Sequence, residues 1–363
     1  MGAEVLDPFA TTIRLIDEPG TAEALRAAGP VVRAEAPAGG PAWIVTDEEL
    51  ARRVCSDDRV VKDPAYAPET WDRWRAGLEP TAAEQPSLTT LDGPAHAALR
   101  KAHAPVLSAR RVQAWGDRIT QIAREQLAAL DGEVDLMADF TTRYPLTVVC
   151  ELLGVPADRV DQAVAACARM HDDYGPAQFA GVMGAFADLA KAALEHGGVA
   201  AELRDRMPGE ITEQQLHYLL FGIMWASQIT TDAALGFLVA RALGKPSDDP
   251  VRDALRQHPP ATYTLWRFTR TEIELAGERL PARAPLLVDI AGINAAGGDL
   301  TFGAGPHYCI GAQLAQLELR AVVDVLAADF PQARLAVPYE QLRRVDRGVQ
   351  GSRLVELPVL LRG

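Results

Sequence analysis

The residues Phe302-Gly-Ala-Gly-Pro-His-Tyr-Cys309-Ile-Gly311 set a cysteine among closely spaced glycines, at the start of an amphipathic helical pattern. Glycines let a backbone pass close to a bulky planar group. Backbone amides and the positive end of a helix favour a thiolate over a thiol. A thiolate held in this way suits haem iron as an axial ligand, because its electron density favours O–O cleavage. The plainer reading is a buried structural cysteine ahead of a helix. The other cysteines, Cys55, Cys150 and Cys167, form no CxxC pair, so neither a disulfide framework nor a structural zinc site is expected. No GxSxG elbow, Walker loop or HExxH is present. Gly303-Ala-Gly305 does not extend to GxGxxG, because Tyr308 stands where the third glycine would be.

Hydrophobic periodicity supplies a mainly helical scaffold for this loop. Helical patterns cover residues 95–130, with a break near Pro105, then 136–153, 157–170 and 178–196, punctuated by Pro156, Pro176 and Gly197. The longest pattern runs from Thr212, a candidate N-cap, to about Gly244, a candidate C-cap. At about 1.5 Å per residue it is long enough to cross a domain. Its middle is apolar nearly all round, which predicts burial at the centre of the fold. A Gly39-Gly40 turn between two strand-like runs, alternation over 273–280 and 285–290, and strand-like segments near the C-terminus predict small peripheral β-sheets. With no linker or internal repeat, the expectation is one domain over residues 1–363, mainly α with small peripheral β-sheets.

Composition bounds the partners. A chain of 363 residues with 48% hydrophobic and 23% charged residues is long enough to bury a large core. A net charge of -13 disfavours attraction to nucleic acid or an anionic membrane. No window of roughly 18 uncharged apolar residues is evident, and the N-terminus lacks the basic-then-apolar order of a signal peptide. A cytoplasmic protein is therefore expected.

The cysteine segment resembles the haem-binding loop of the cytochrome P450 family, Phe-x-x-Gly-x-x-x-Cys-x-Gly, and matches every defining position. The resemblance implies a single-domain P450 fold with a long central helix over the haem. It implies haem b as cofactor, with Cys309 as the metal ligand. Phe302, Gly303 and Gly311 then belong to the haem loop, and His307 lies beside a propionate. Three further segments agree in chain order. His96-Ala-Ala-Leu-Arg100 resembles the family's His-x-x-x-Arg helix; residues four apart share a helix face, so both can reach propionates of one porphyrin. Arg267, in Leu265-Trp-Arg267, resembles the strand arginine that forks onto a propionate. Ala226-Ser-Gln-Ile-Thr230-Thr231 resembles the oxygen-activating stretch, which assigns Thr230, Ser227 and Gln228 to catalysis. Trp225, Ala226, Ile229, Thr262 and Leu265 become substrate-pocket candidates, and residues 65–91, with Trp71 and Trp74, a partly apolar lid.

Three departures bear on chemistry. Ser227 replaces the family's usual glycine, and Ile229 replaces the Asp or Glu that precedes the threonine. A carboxylate beside a hydroxyl relays protons, and Ile229 delivers none. Asp253-Ala-Leu-Arg256 stands at the family's Glu-x-x-Arg, one methylene shorter, and residues 231–253 and 294–302 are short stretches that trim a helix and most of the irregular segment before the haem loop. Three functions follow. The first is a haem-thiolate monooxygenase or oxidase of bacterial secondary metabolism. It would act on a small molecule, free or bound to a carrier protein, and draw electrons from a ferredoxin and ferredoxin reductase; Arg100, Lys101, Arg110 and Arg111 would steer the acidic partner. The second is a haem-thiolate enzyme of other chemistry: peroxide-driven oxidation, dehydration, isomerisation or cyclisation. The third, a non-catalytic helper, gives no reason to keep His96, Arg100, Arg267 and His307 around an absent anion.

Overall fold

Thr212 starts the longest helix, Glu213–Gly244, through a reciprocal cap. Its hydroxyl accepts the Gln215 backbone N–H (3.2 Å), and the Gln215 side chain accepts the Thr212 N–H (2.9 Å). From Thr231 to Arg241 every residue is buried, as the unbroken apolar pattern predicts. The helix corrects one sequence reading. It does contain an 18-residue stretch apolar enough to span a membrane, with a mean hydropathy of 1.2, yet 67% of that stretch is buried inside the protein. Its hydrophobicity is that of a core helix.

The structure is a computed structural model and describes residues 7–77, 85–172 and 175–362. The chain divides into two compact units, each assembled from separate segments: Met1–Ala97, Arg252–Cys309 and Arg343–Arg353 in one, and Ala98–Val251, Ile310–Leu342 and Leu354–Gly363 in the other.

The second unit is the helical one. Helix Glu213–Gly244 packs against Arg143–Leu153, Pro176–His196 and Ala312–Asp329, and Ala312–Asp329 packs against Gly116–Ala128. Two glycines of the long helix sit where neighbours come close. A Cβ on Gly236 would lie 2.5 Å from Met137 Sδ, and one on Gly244 would lie 2.8 Å from Tyr339 Cβ. A small sheet closes this unit, with Pro358–Leu360 between Arg334–Leu335 and Glu133–Asp135.

The first unit carries most of the strands. Its five-stranded sheet runs Val31–Glu35, Pro41–Val45, Pro285–Val288, Arg267–Thr269, Val60–Val61, and the predicted hairpin forms its first pair, with Val31 opposite Val45. One face packs Trp43, Val45, Leu286 and Val288 into an apolar cluster, and the other buries Ile44, Leu287, Phe268 and Trp266. The 273–280 alternation is a separate hairpin, Ile273–Leu275 with Glu278–Leu280. Strand Thr11–Leu15 pairs with Arg343–Arg347, whose sequence RRVDR holds three arginines and an aspartate and so gives no clear strand signal.

Candidate functional site

In the sheet unit, the glycine-rich segment leads to Cys309 through two tight turns. Gly303 and Gly305 both take positive φ (75° and 68°), and the Cys309 N–H donates to the Phe302 carbonyl at 2.9 Å. Gly305 is fixed by contact as well as by torsion, since a Cβ there would lie 2.6 Å from the carbonyl oxygen of Cys55. Gly311 is the N-cap residue of helix Ala312–Asp329. The four cysteines differ sharply. Cys309 is exposed, while Cys55, Cys150 and Cys167 are buried, and burial pushes the Cys150 and Cys167 thiols up to about 12. Cys309 alone among them is accessible as a ligand.

Beside this loop lies a cluster of basic side chains. The rings of His96 and His307 stand 4.1 Å apart, and Arg267, at the head of its strand, is buried (3% exposed). His307 bonds Asp92 Oδ1 through Nε2 (3.2 Å) and the Leu88 carbonyl through Nδ1 (3.2 Å). Burial lowers the pKa of His307, a shift that the Asp92 bond partly offsets and that the charges of Lys62 and Arg267 reinforce. Arg267 Nε is buried without an acceptor. A buried guanidinium donor left unsatisfied is costly, so the cluster calls for an additional anion. The two propionates of haem are such anions, and Cys309 stands in the same unit to ligate the iron. The residues present fit haem.

Arg100 lies one helical turn beyond His96 on Gly93–His103 and is half-buried. Sequence reasoning missed two members of the cluster. Asp92 sits in a Leu-Asp-Gly-Pro run that reads as a helix start, and Lys62 in a Val-Val-Lys-Asp-Pro run that reads as a strand end. The signal for Lys62 was register. Val60 pairs with Thr269 and Val61 with Phe268, so the next position sets Lys62 against Arg267.

In the helical unit, Ala226 and Thr230 share an exposed face of the long helix, and the Thr230 hydroxyl donates to the Ala226 carbonyl at 2.8 Å. Ser227 and Ile229 flank that face, half-buried. Gln228 does not join them. It is buried (1% exposed) on the opposite side, its amide 3.4 Å from Asp232 Oδ2, which also accepts the Thr142 hydroxyl at 3.2 Å. Gln228, assigned to catalysis by the resemblance, thus faces away from Thr230, because two residues along a helix is over half a turn. Trp225 packs edge-on against Phe179 (5.8 Å) and Phe186 (6.2 Å) and parallel to Phe221 (6.4 Å), which makes it part of an aromatic core. In the sheet unit, Thr262 is half-buried with its carbonyl accepting the Ala291 N–H, and Leu265 is 54% exposed.

The expected lid is partly corrected. Trp71 is buried against Trp266 (4.9 Å) and Phe268 (5.9 Å), and the Trp266 indole donates to the Ala76 carbonyl at 2.7 Å, so this half of the segment is anchored. The stretch 78–84 lies outside the described residues. Among the described residues, Asp253 makes no ion pair with Arg256, whose Nε donates instead to the Asn294 carbonyl at 3.2 Å.

Comparison with known proteins decides the family. No protein-family model matches. The chain is 41% identical over 414 residues to the cytochrome P-450 monooxygenase DoxA of Streptomyces peucetius subsp. caesius, an alignment covering 98% of each chain. The chain is a cytochrome P450. It is also 30% identical to the vitamin D(3) 25-hydroxylase of Pseudonocardia autotrophica, over 94% of this P450 and 93% of that enzyme. Among solved structures, CYP154C4 from Streptomyces sp. ATCC 11861 superposes with a TM-score of 0.82 at 27% identity, covering 98% of both chains. CYP154A1 from Streptomyces coelicolor A3(2) gives 0.80 at 25% identity, covering 94% of this chain and 96% of that one. The mainly helical fold with small sheets is the P450 fold; family membership makes the protein an oxidoreductase and implies a haem-thiolate cofactor. The alignment to DoxA is longer than this P450 itself.

Proposed function

We propose that this P450 is a monooxygenase that tailors a small secondary metabolite, in the cytoplasm of a bacterium, as a single catalytic domain. The carrying observation is an exposed cysteine on a glycine-pinned loop, in the same unit as a buried basic cluster short of anions. Relatives support the metabolite class: one is named mycinamicin IV hydroxylase/epoxidase and another nocardicin C N-oxygenase.

In this reading Cys309 holds the haem iron, while His96, Arg100, Arg267 and His307 hold the propionates. Phe302, Gly303 and Gly311 shape the loop. When bound, the haem supplies dioxygen activation with electron push from the thiolate. The chain's own residues handle protons. Thr230 donates its hydroxyl proton to the Ala226 carbonyl, which leaves its oxygen lone pairs open to accept a bond on the exposed face. Ile229 brings no acid there, but Glu318 stands behind the helix. Its carboxyl is buried (1% exposed), accepts the Thr231 hydroxyl at 3.4 Å, and has Oε1 unpartnered. Burial raises its pKa well above the usual carboxylate range, which favours the protonated carboxyl. A proton store one residue from Thr230 favours monooxygenation over chemistry that needs no protons. Ala226, Ile229, Thr262 and Leu265 remain the residues assigned to substrate. A ferredoxin with its reductase is the electron source that the reading requires.

The test is an absorption spectrum of the purified protein after dithionite and carbon monoxide, repeated for Cys309→Ala. A red-shifted thiolate-type Soret band that the variant loses is the expected result, followed by substrate-dependent NADPH oxidation with a surrogate ferredoxin system. A protein without haem after growth with haem precursor overturns the proposal. Turnover with peroxide but never with electrons would move it to the alternative haem-thiolate chemistry.

A further inference from the structure

We infer that Lys62 is an additional propionate-binding residue, one that holds haem in this chain alongside the histidines and arginines of the family pattern. The inference rests on the haem-thiolate reading and on one juxtaposition: Lys62 and Arg267 face each other across adjacent antiparallel strands, and among the described residues neither forms a salt bridge. The register is fixed, since Val60 opposes Thr269 and Val61 opposes Phe268. Like charges directly opposite on a sheet repel, and both are buried, Lys62 at 7% and Arg267 at 3% exposure. A lysine is almost never buried unless paired. Among the described residues Lys62 forms no salt bridge.

Asp92 is the nearby carboxylate, and it is already committed. Oδ2 accepts the backbone N–H of Lys62 at 2.8 Å, and Oδ1 faces His307 Nε2 at 3.2 Å. One carboxylate therefore serves both Lys62 and His307, with Arg267 adding like charge to each and the His96 ring 4.1 Å from that of His307. The arrangement is unfavourable in isolation and favourable around a dianion. A site built for binding shows that pattern, whereas a site built only for folding would place an apolar side chain opposite Arg267. The ligand class is a planar dicarboxylate porphyrin.

The experiment is the rate at which porphyrin leaves the holoprotein for an excess of apomyoglobin. It compares wild type, Lys62→Met and Lys62→Arg, each loaded with haem or with haem dimethyl ester, whose propionates carry no charge. Lys62→Met keeps the length and removes the charge, and Lys62→Arg keeps the charge. The expected result is haem loss about tenfold faster from Lys62→Met, as for a lost charge-assisted hydrogen bond, with Lys62→Arg near wild type and equal ester release from all three. Equal haem release from wild type and Lys62→Met overturns the inference while leaving the haem reading intact. So does an acceleration as large for the ester as for haem, which marks a packing defect. Failure of wild type to take up either porphyrin removes the haem reading itself, and the inference with it. If Lys62→Met does not accumulate, Lys62→Gln takes its place in the same comparison.

Discussion

At the scale of single residues, function rests on side chains whose environments set them apart from others of their type. Cys309 is exposed while the other three cysteines are buried, two of them with thiols pushed to about 12. In haem-free protein at neutral pH, iodoacetamide should label one thiol rapidly, and Cys309→Ala should label none on that timescale; intact-mass spectrometry reads both. Loading with haem should protect the site. Lys62 offers a second residue-level test. Burial, and then the charge of Arg267, lowers its ammonium pKa from 10.5 to about 7, against the smaller opposing pulls of Cys55 and Asp92, with His307 the remaining titratable neighbour. Above pH 10.5 the amine is neutral in folded and unfolded chains alike. As pH falls the unfolded chain takes the proton first, so this residue costs the haem-free protein stability between 10.5 and about 7. Urea melts of Lys62→Met across that range should show a shallower fall toward neutral pH than wild type. These two residues were unequally legible in the sequence. Cys309 sits in a dense local motif, whereas Lys62 acquires its meaning only when a strand more than two hundred positions away sets its register.

At the scale of elements, the sequence shows helices well where periodicity is long and poorly where partners decide. The run to Gly244 reads as one buried helix from its apolar middle, and residues 178–196 read as the helix that forms at Pro176–His196. Helix Val199–Arg206 escapes notice because two glycines end the preceding pattern and its own face is short. Gln228 shows the limit for site residues: a motif names its position, but only helix phase shows that it faces Asp232 and not the side of Thr230. Contact between elements also governs Glu318. The Thr231 hydroxyl bonds it from the long helix, and burial holds its pKa well above 4.5. An acid whose folded pKa is raised stabilises the fold below its unfolded value and loses that contribution as pH rises. Wild type should therefore weaken from pH 4.5 upward, by up to about 1.4 kcal/mol per pH unit from this group. Glu318→Gln should remove that slope in denaturant melts taken from pH 4.5 upward. If Glu318 is also the proton store, the same variant should slow substrate oxidation with the ferredoxin system while leaving porphyrin release unchanged. The haem loop gives a sharper element-level case. Gly305→Ala forces a Cβ against the Cys55 carbonyl at a positive φ, and neither backbone yields easily. It should cost about 1–3 kcal/mol in thermal or urea unfolding and lower haem content in proportion.

At the scale of the whole molecule, the order of the chain matters as much as its content. Each compact unit takes three separate segments, so neither is a continuous stretch that a reading for linkers would detect. The sequence accordingly reads as one domain without punctuation. Spatial neighbours also change what a local motif can mean. Arg256 follows an aspartate in the position of the family's Glu-x-x-Arg, yet it bonds the carbonyl of Asn294. A motif reading expects an ion pair there, and the fold supplies a backbone acceptor in its place. The last segment of the helical unit shows how far this interleaving reaches. Leu354, Leu357, Val359 and Leu361 are all buried to 1% exposure or less, and Pro358–Leu360 is the middle strand of its sheet. The Leu357 carbonyl also accepts the Leu136 N–H, which ties this segment to the short helix Leu136–Asp139. Four such side chains at about 2 kcal/mol each approach the whole stability of an ordinary domain. A chain stopped after Arg353 should therefore retain much of its far-UV helical signal but lose its near-UV aromatic signal and its sharp urea transition, and bind a hydrophobic dye. A cooperative transition with the wild-type midpoint would show that this segment merely decorates the helical unit.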